Sequence, residues 1–155
     1  MRINLPYDLV KQINSKSSTK VLSTKDKDGI VHSVFKDSIS VDDDGNIRFL
    51  EYLETSQTNK NLTYAIWFDQ TVSILIRSEE DNSFQIKGIP RKVLIAGKEF
   101  EKYYREVIDE DDVLDLSGVW IIEPTEFRNE NLRERAIQER KEYPIVGHMD
   151  RDIDI

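Results

Sequence analysis

The stretch NIRFLEYLETSQTNKNL, residues 46–62, holds the change of pattern that decides how the chain is organised. Ile47–Leu53 is an apolar, β-prone run that follows the turn residues Gly45-Asn46. The bend TSQTNKNL, residues 55–62, then packs three hydroxyls (Thr55, Ser56, Thr58), two asparagine amides (Asn59, Asn61) and one cation (Lys60) into eight positions. Thr58 is the expected N-cap of a short helix with Leu62, Ala65 and Ile66 on one face. A helix start leaves N–H groups without intrahelical acceptors and carries partial positive charge. Hydroxyls and a lysine beside it make a cradle suited to an anion such as phosphate. The same residues also suit an ordinary polar loop that caps a helix.

Upstream of this bend lie short β-prone runs divided by turns. Val21–Thr24 leads through KDKDG to Ile30–Phe35, and Ile39–Val41 leads through DDDGN to Ile47. This is the pattern of a hairpin meander, preceded by a short helix in which Pro6 occupies the first turn and Leu9, Val10 and Ile13 share a face. Downstream, Val72–Ile76 and Phe84–Ile89 are expected strands, the second continuing as Lys92–Ile95 past a bulge or edge at Pro90. Phe100, Tyr103, Tyr104, Val107 and Ile108 have helical spacing over 98–108. Val119–Ile122 is an expected strand ended by Pro124. A last amphipathic helix spans about 131–141, with Asn131 and Glu134 at capping-box spacing. The tail YPIVGHMDRDIDI shows no clear period. Strands in succession with helices inserted later argue for an α+β or barrel architecture, since parallel units would need alternation from the start.

The length of 155 residues suits one domain with a real core, 1–155. A net charge of −8 disfavours nucleic acid. No apolar run approaches a membrane span, and the first residues lack the pattern of a secretory signal, so a cytoplasmic location is expected. The absence of cysteine excludes disulfides, thiolate metal sites and a Cys nucleophile. Charge is uneven: residues 1–36 carry seven basic against three acidic side chains, and residues 97–115 carry three against eight. The run Asp109-Glu110-Asp111-Asp112 is a solvated helix end or an acidic docking patch; it lacks the alternating ligands and central glycine of a calcium loop.

Chemistry-bearing constellations are scarce. The two histidines, His32 and His148, do not complete a triad or a zinc set, so no metal site is expected. The phosphate loops G-x-x-x-x-G-K and G-x-G-x-x-G are absent. No catalytic residue is identified from the sequence.

The ordered series KDGIVHSVFK (27–36), NIRFLEYLETSQTNKNL (46–62), TVSILI (71–76) and FQIKG (84–88) resembles the FMN-binding split barrels, relatives of pyridoxamine 5'-phosphate oxidase. The resemblance covers about residues 20–125, with a C-terminal helix and tail over 126–155. It implies a six-stranded antiparallel split β-barrel with flanking helices, and a homodimer with FMN at its interface. Ser56, Thr58, Asn59 and Lys60 would hold the FMN phosphate. The strand His32, Ser33, Val34, Phe35 and Lys36 would run along the isoalloxazine, with Lys36 near its pyrimidine edge. Glu51 and Tyr52 would line the other side, and Gln85 would reach the flavin across the dimer. Three departures stand out: Gln57 replaces a second cation, TYAIWF replaces an N-P pair after the short helix, and HMDRD offers no counterpart of a substrate-flanking Trp and Arg. Vitamin B6 oxidation is therefore not assigned.

The implied activity is that of a flavin-dependent oxidoreductase with a small-molecule substrate or nicotinamide donor. The alternatives are a non-enzymatic FMN-binding or sensor protein, a relative using deazaflavin or haem, and a ligand-free adaptor acting through the acidic 109–115 segment. Trp67 and Trp120 are expected in the core, or in part at an interface between protomers.

Overall fold

The computed structural model describes residues 1–144; the expectations about His148 and the tail lie outside the described residues. The elements run α1 (Tyr7–Asn14), β1 (Thr19–Lys25), β2 (Val31–Phe35), β3 (Ser40–Val41), β4 (Ile47–Glu51), α2 (Gln57–Trp67), β5 (Val72–Arg77), β6 (Ser83–Leu94), α3 (Lys98–Glu110), β7 (Gly118–Asn129) and α4 (Leu132–Glu142). All strand pairings are antiparallel, in one sheet of order β2-β1-β5-β6-β7-β4-β3. The architecture is α+β, a curled half-barrel of seven strands rather than six. The difference includes β3, a two-residue strand that pairs with β4 at the sheet's edge.

Strand alternation sorts the side chains into two layers. The concave face buries Leu22, Ile74, Ile76, Ile86, Phe49, Trp120 and Ile122, and α2 closes over it with Leu62 and Ala65. The other face of β4 and β7 is covered by α3, where Val107 packs with Leu94, Leu116 and Val119. Hence β4 is buried on both sides. Its Arg48, 7% exposed, pairs with Asp42 and Glu99 and lies 5.6 Å from the Tyr103 ring, which fastens α3 to the sheet. At the β3 edge, Asn14 takes the place of another strand: its amide accepts from Val41 N at 2.8 Å and donates back to Val41 O at 3.4 Å.

Proline positions follow from where neighbouring strands stop. Pro90 lies beyond the last β5 partner, Gly88, and the register shifts between Pro90 and Lys92, as expected of a bulge. Pro124 does not end β7. The strand continues to Asn129, because β4 has already stopped opposite Ile122 and no ladder donor is needed from the proline. Its carbonyl instead accepts from Ile3 N at 3.0 Å.

Other expectations need correction. Ser56, not Thr58, caps α2, its hydroxyl accepting from Asn59 N at 2.9 Å. The Asn131–Glu134 capping box does not form: Asn131 Oδ1 accepts from Ser83 N at 2.6 Å, and Glu134 accepts from Asn129. Helix α4 buries none of its residues, so it is not an amphipathic element of this core. Trp120 is a core residue, whereas Trp67 is 78% exposed.

β6 and β7 shift register between Lys87 and Gly88, an irregularity of the kind that bends a ladder. A Cβ on Gly88 would come within 2.7 Å of Ile122 Cγ2 and 2.8 Å of the Glu123 carbonyl oxygen. Gly88→Ala is expected to cost about 1–3 kcal/mol through overpacking. Denaturant unfolding checks this, and an unchanged midpoint would contradict the close approach.

Candidate functional site

The bend before α2 is built by its own hydrogen bonds. Ser56 caps the helix, Asn59 Nδ2 donates to Glu54 O at 3.0 Å, and Asn59 Oδ1 accepts from the Trp120 indole N–H at 3.0 Å. One turn on, Gln57 Nε2 donates to Asn61 Oδ1 at 2.8 Å, and Asn61 donates to Thr24 Oγ1 at 3.0 Å. The helix start is thereby pinned to both β7 and β1. The Asn59 tie to Trp120 was not read from the sequence, because it joins residues 61 positions apart.

These bonds determine what the cradle can still offer. The Asn59 amide is engaged at both of its atoms, and Thr58 is 1% exposed beneath the helix. Ser56 accepts a bond but keeps its hydroxyl proton to donate. The N–H groups of Gln57 and Thr58 belong to the first turn and have no acceptor within the helix. Lys60 is exposed. One hydroxyl, two amide protons and one ammonium fit an anion of phosphate size, with a single full positive charge among them.

The strand candidates divide between two faces. His32, Val34 and Lys36 are partly buried on the concave side of β2; Ser33 and Phe35 point to the convex side. Ser33 shares a 2.7 Å hydroxyl contact with Ser23. Phe35, 69% exposed, lies opposite Val21, which lies opposite Leu75, which lies opposite Gln85. Phe35 and Gln85 therefore share one convex row across four strands with Val21 and Leu75 between them.

On the concave side, Lys36 Nζ is 3.8 Å from Glu51 Oε2 and 5.0 Å from the Phe49 ring centroid. Glu51 is 1% exposed. Tyr52 is half-buried with the α3 layer; burial pushes its phenol above the ordinary tyrosine range, against a hydrogen bond with Ser38. The structure thus groups Lys36 with Glu51, groups Ser56 with Asn59, and sets Phe35 and Gln85 in a separate row. Two surface clefts, one between α1 and the β5–β6 turn and one at the start of α3, contain none of the twelve candidates. Among the described residues, no group of three or more His, Asp or Glu side chains is placed to hold a metal ion.

No protein-family model matches the chain, and no curated protein matches it in sequence. Solved structures do match. An epitope-tagged HupZ of Group A Streptococcus aligns over 83% of this chain and 95% of its own, with TM-score 0.67 and 18% identity. An FMN-binding protein from Syntrophomonas wolfei aligns over 81% and 88%, with TM-score 0.61 and 14% identity. A pyridoxamine 5'-phosphate oxidase-like protein from Lactobacillus delbrueckii aligns over 81% and 93%, with TM-score 0.60 and 16% identity. The fold is the split barrel of the pyridoxamine 5'-phosphate oxidase-like proteins. At these identities the likeness is one of fold. The same split barrel is found in an F420 reductase and in HutZ, described as the heme storage protein of Vibrio cholerae.

A buried lysine also lies in this part of the split barrel. Lys20, 3% exposed, precedes Val21 on β1, and its carbonyl accepts from Lys36 N at 2.9 Å. Loss of hydration pushes its ammonium below the ordinary lysine range, against the pull of Asp37. A folded-state value below the unfolded one means that the unfolded chain binds more protons in the interval between them, so stability rises with pH up to the ordinary lysine range. Lys20→Met is expected to be more stable at pH 7 by about 2–4 °C in Tm, for a stabilisation on the order of 1 kcal/mol. That advantage should shrink as pH rises. Thermal unfolding across pH checks this, and a variant less stable than the wild type at pH 7 would count against it.

Proposed function

We propose that the protein is an FMN-binding flavoprotein, working as a homodimer with the cofactor between protomers, and a flavin-dependent oxidoreductase. The observation that carries this reading is the α2 start: Ser56, the first-turn N–H groups of Gln57 and Thr58, and exposed Lys60 retain the donors a phosphate monoester needs, on a fold shared with an FMN-binding protein. The bond between Asn59 and Trp120 holds that start in place before any anion arrives. FMN, when bound, supplies electron transfer to and from a small substrate or nicotinamide. The chain's share is to bind the phosphate through α2, to lay β2 beside the ring system, and to set local charge through Lys36 and Glu51. No protein acid or base is assigned.

The dimer is supported by the convex row. Phe35, Val21 and Leu75 form an apolar strip across three strands, with Phe35 69% and Leu75 44% exposed. Aromatic side chains are enriched at protein interfaces, whose buried centre is more apolar than the rim. Light scattering on the purified protein should give twice the chain mass, and Phe35→Glu should shift it toward the monomer. A wild-type monomer would remove the two-protomer site.

A second reading, haem in place of FMN, is favoured by the single cation at the cradle and by His32, half-buried on β2 and the one histidine among the described residues. An absorbance spectrum separates the two: a flavin gives two broad bands and haem one intense sharp band. For FMN, Lys60→Ala is expected to weaken binding about 10- to 100-fold, the equivalent of one charge-assisted hydrogen bond. A fluorescence titration measures this, and an unchanged affinity would displace the phosphate from α2. Turnover of NADH or NADPH by the loaded protein distinguishes an enzyme from a sensor. No helix among the described residues is long and apolar enough to cross a membrane.

A further inference from the structure

The inner face of β4 ends on a carboxylate that one residue alone can answer. Glu51 is 1% exposed, and its Oε1 accepts from Leu53 N at 3.1 Å. Its Oε2 is buried with no hydrogen-bond partner and faces Lys36 Nζ at 3.8 Å. Lys36 in turn is 17% exposed and stands over the Phe49 ring. Among the described residues, no other cation lies within ion-pair distance of Glu51. A buried carboxylate needs a compensating charge, and a half-buried ammonium over an aromatic ring gains from having one. The two groups come from opposite sides of the open half-barrel, one just past β2 and one on β4, so each is held in place by the other.

We propose that Glu51 is a positioning residue for Lys36: it draws the ammonium into the barrel mouth and neutralises it, so that a cofactor lying along the unpaired edge of β2, which borders that mouth, meets an ion pair and not a bare positive charge. This rests on the reading of β2 as the cofactor strand. A bare ammonium beside a flavin would favour the reduced, more negative form. Paired with Glu51, Lys36 favours it less. The two residues therefore act on the cofactor with opposite sign, which a purely structural contact would not do.

The test uses full-length protein loaded with FMN, and the same protein without it. In the loaded protein, Glu51→Gln is expected to tighten reduced relative to oxidised FMN at least threefold, read as a rise in midpoint potential. Lys36→Met is expected to lower the potential, and Lys36→Arg, which keeps the charge, to restore it. In the flavin-free protein, labelling by an amine-reactive ester, quantified for each lysine by mass spectrometry, should rise several-fold at Lys36 in Glu51→Gln and stay level at Lys60. If Glu51→Gln does not fold, Glu51→Asp, which keeps the charge on a shorter stem, should raise Lys36 labelling to a smaller extent. Wild-type protein that binds no FMN would overturn the proposed function, while Lys36 labelling would still decide the pair. Unchanged Lys36 labelling together with unchanged potential would overturn the inference, as would potentials that move in the same direction in Glu51→Gln and Lys36→Met.

Discussion

Four residues, Lys36 to Ile39, carry the chain from one edge of a seven-stranded sheet to the other. A flat sheet of that width would hold its edge strands about 29 Å apart, six spacings of about 4.8 Å. The connection from Phe35 to Ser40 spans at most about 18 Å when fully extended. The sheet must therefore curl until β2 faces β3 and β4. The register shifts of β6 against β7 at Gly88 and Pro90 are where it gives way, since extra residues on one strand bend a ladder.

The curl accounts for much else. It makes one face concave, so that α2 can lie across the opening and bury Leu62 and Ala65 among strands from both halves of the sheet. It brings Lys36 to Glu51 across the mouth of the half-barrel, where no backbone ladder joins the two edges. Ser38 completes the seam, accepting from Leu50 N at 3.2 Å and donating to Leu50 O at 2.9 Å. It leaves the opposite face of β2, β1 and β5 convex and uncovered, with Phe35 and Leu75 in open view. Ion pair and apolar row thus follow from one constraint on chain length.

The site was legible in part. The hydroxyls and lysine of residues 55–62 stand out by composition, and the structure does set a helix start there. Which residues do what was not legible. Thr58 and Ser56 are both good capping residues two positions apart, and the difference between them is that Thr58 faces the core. Asn59 looks like a free donor, but its Nδ2 donates to the Glu54 carbonyl, and Trp120, far along the chain, holds the amide by donating to its oxygen. Lys36 ends an alternating strand, and alternation gives the side on which it lies but not the carboxylate that it meets.

Local pattern by itself determined the strands and helices, the turns at Gly29 and Gly45, both with positive φ in the structure, and the polar character of the bend before α2. These depend on residues a few positions apart, where backbone sterics and side-chain periodicity act directly. Tertiary structure alone decided that Pro124 lies within a strand, that Trp120 is buried while Trp67 is exposed, and that Glu51 is closed off from water with Lys36 as its counter-charge. Each of these depends on where a distant strand stops or what a curled sheet brings near. Chain-distant contacts of that kind leave no periodic trace along the sequence.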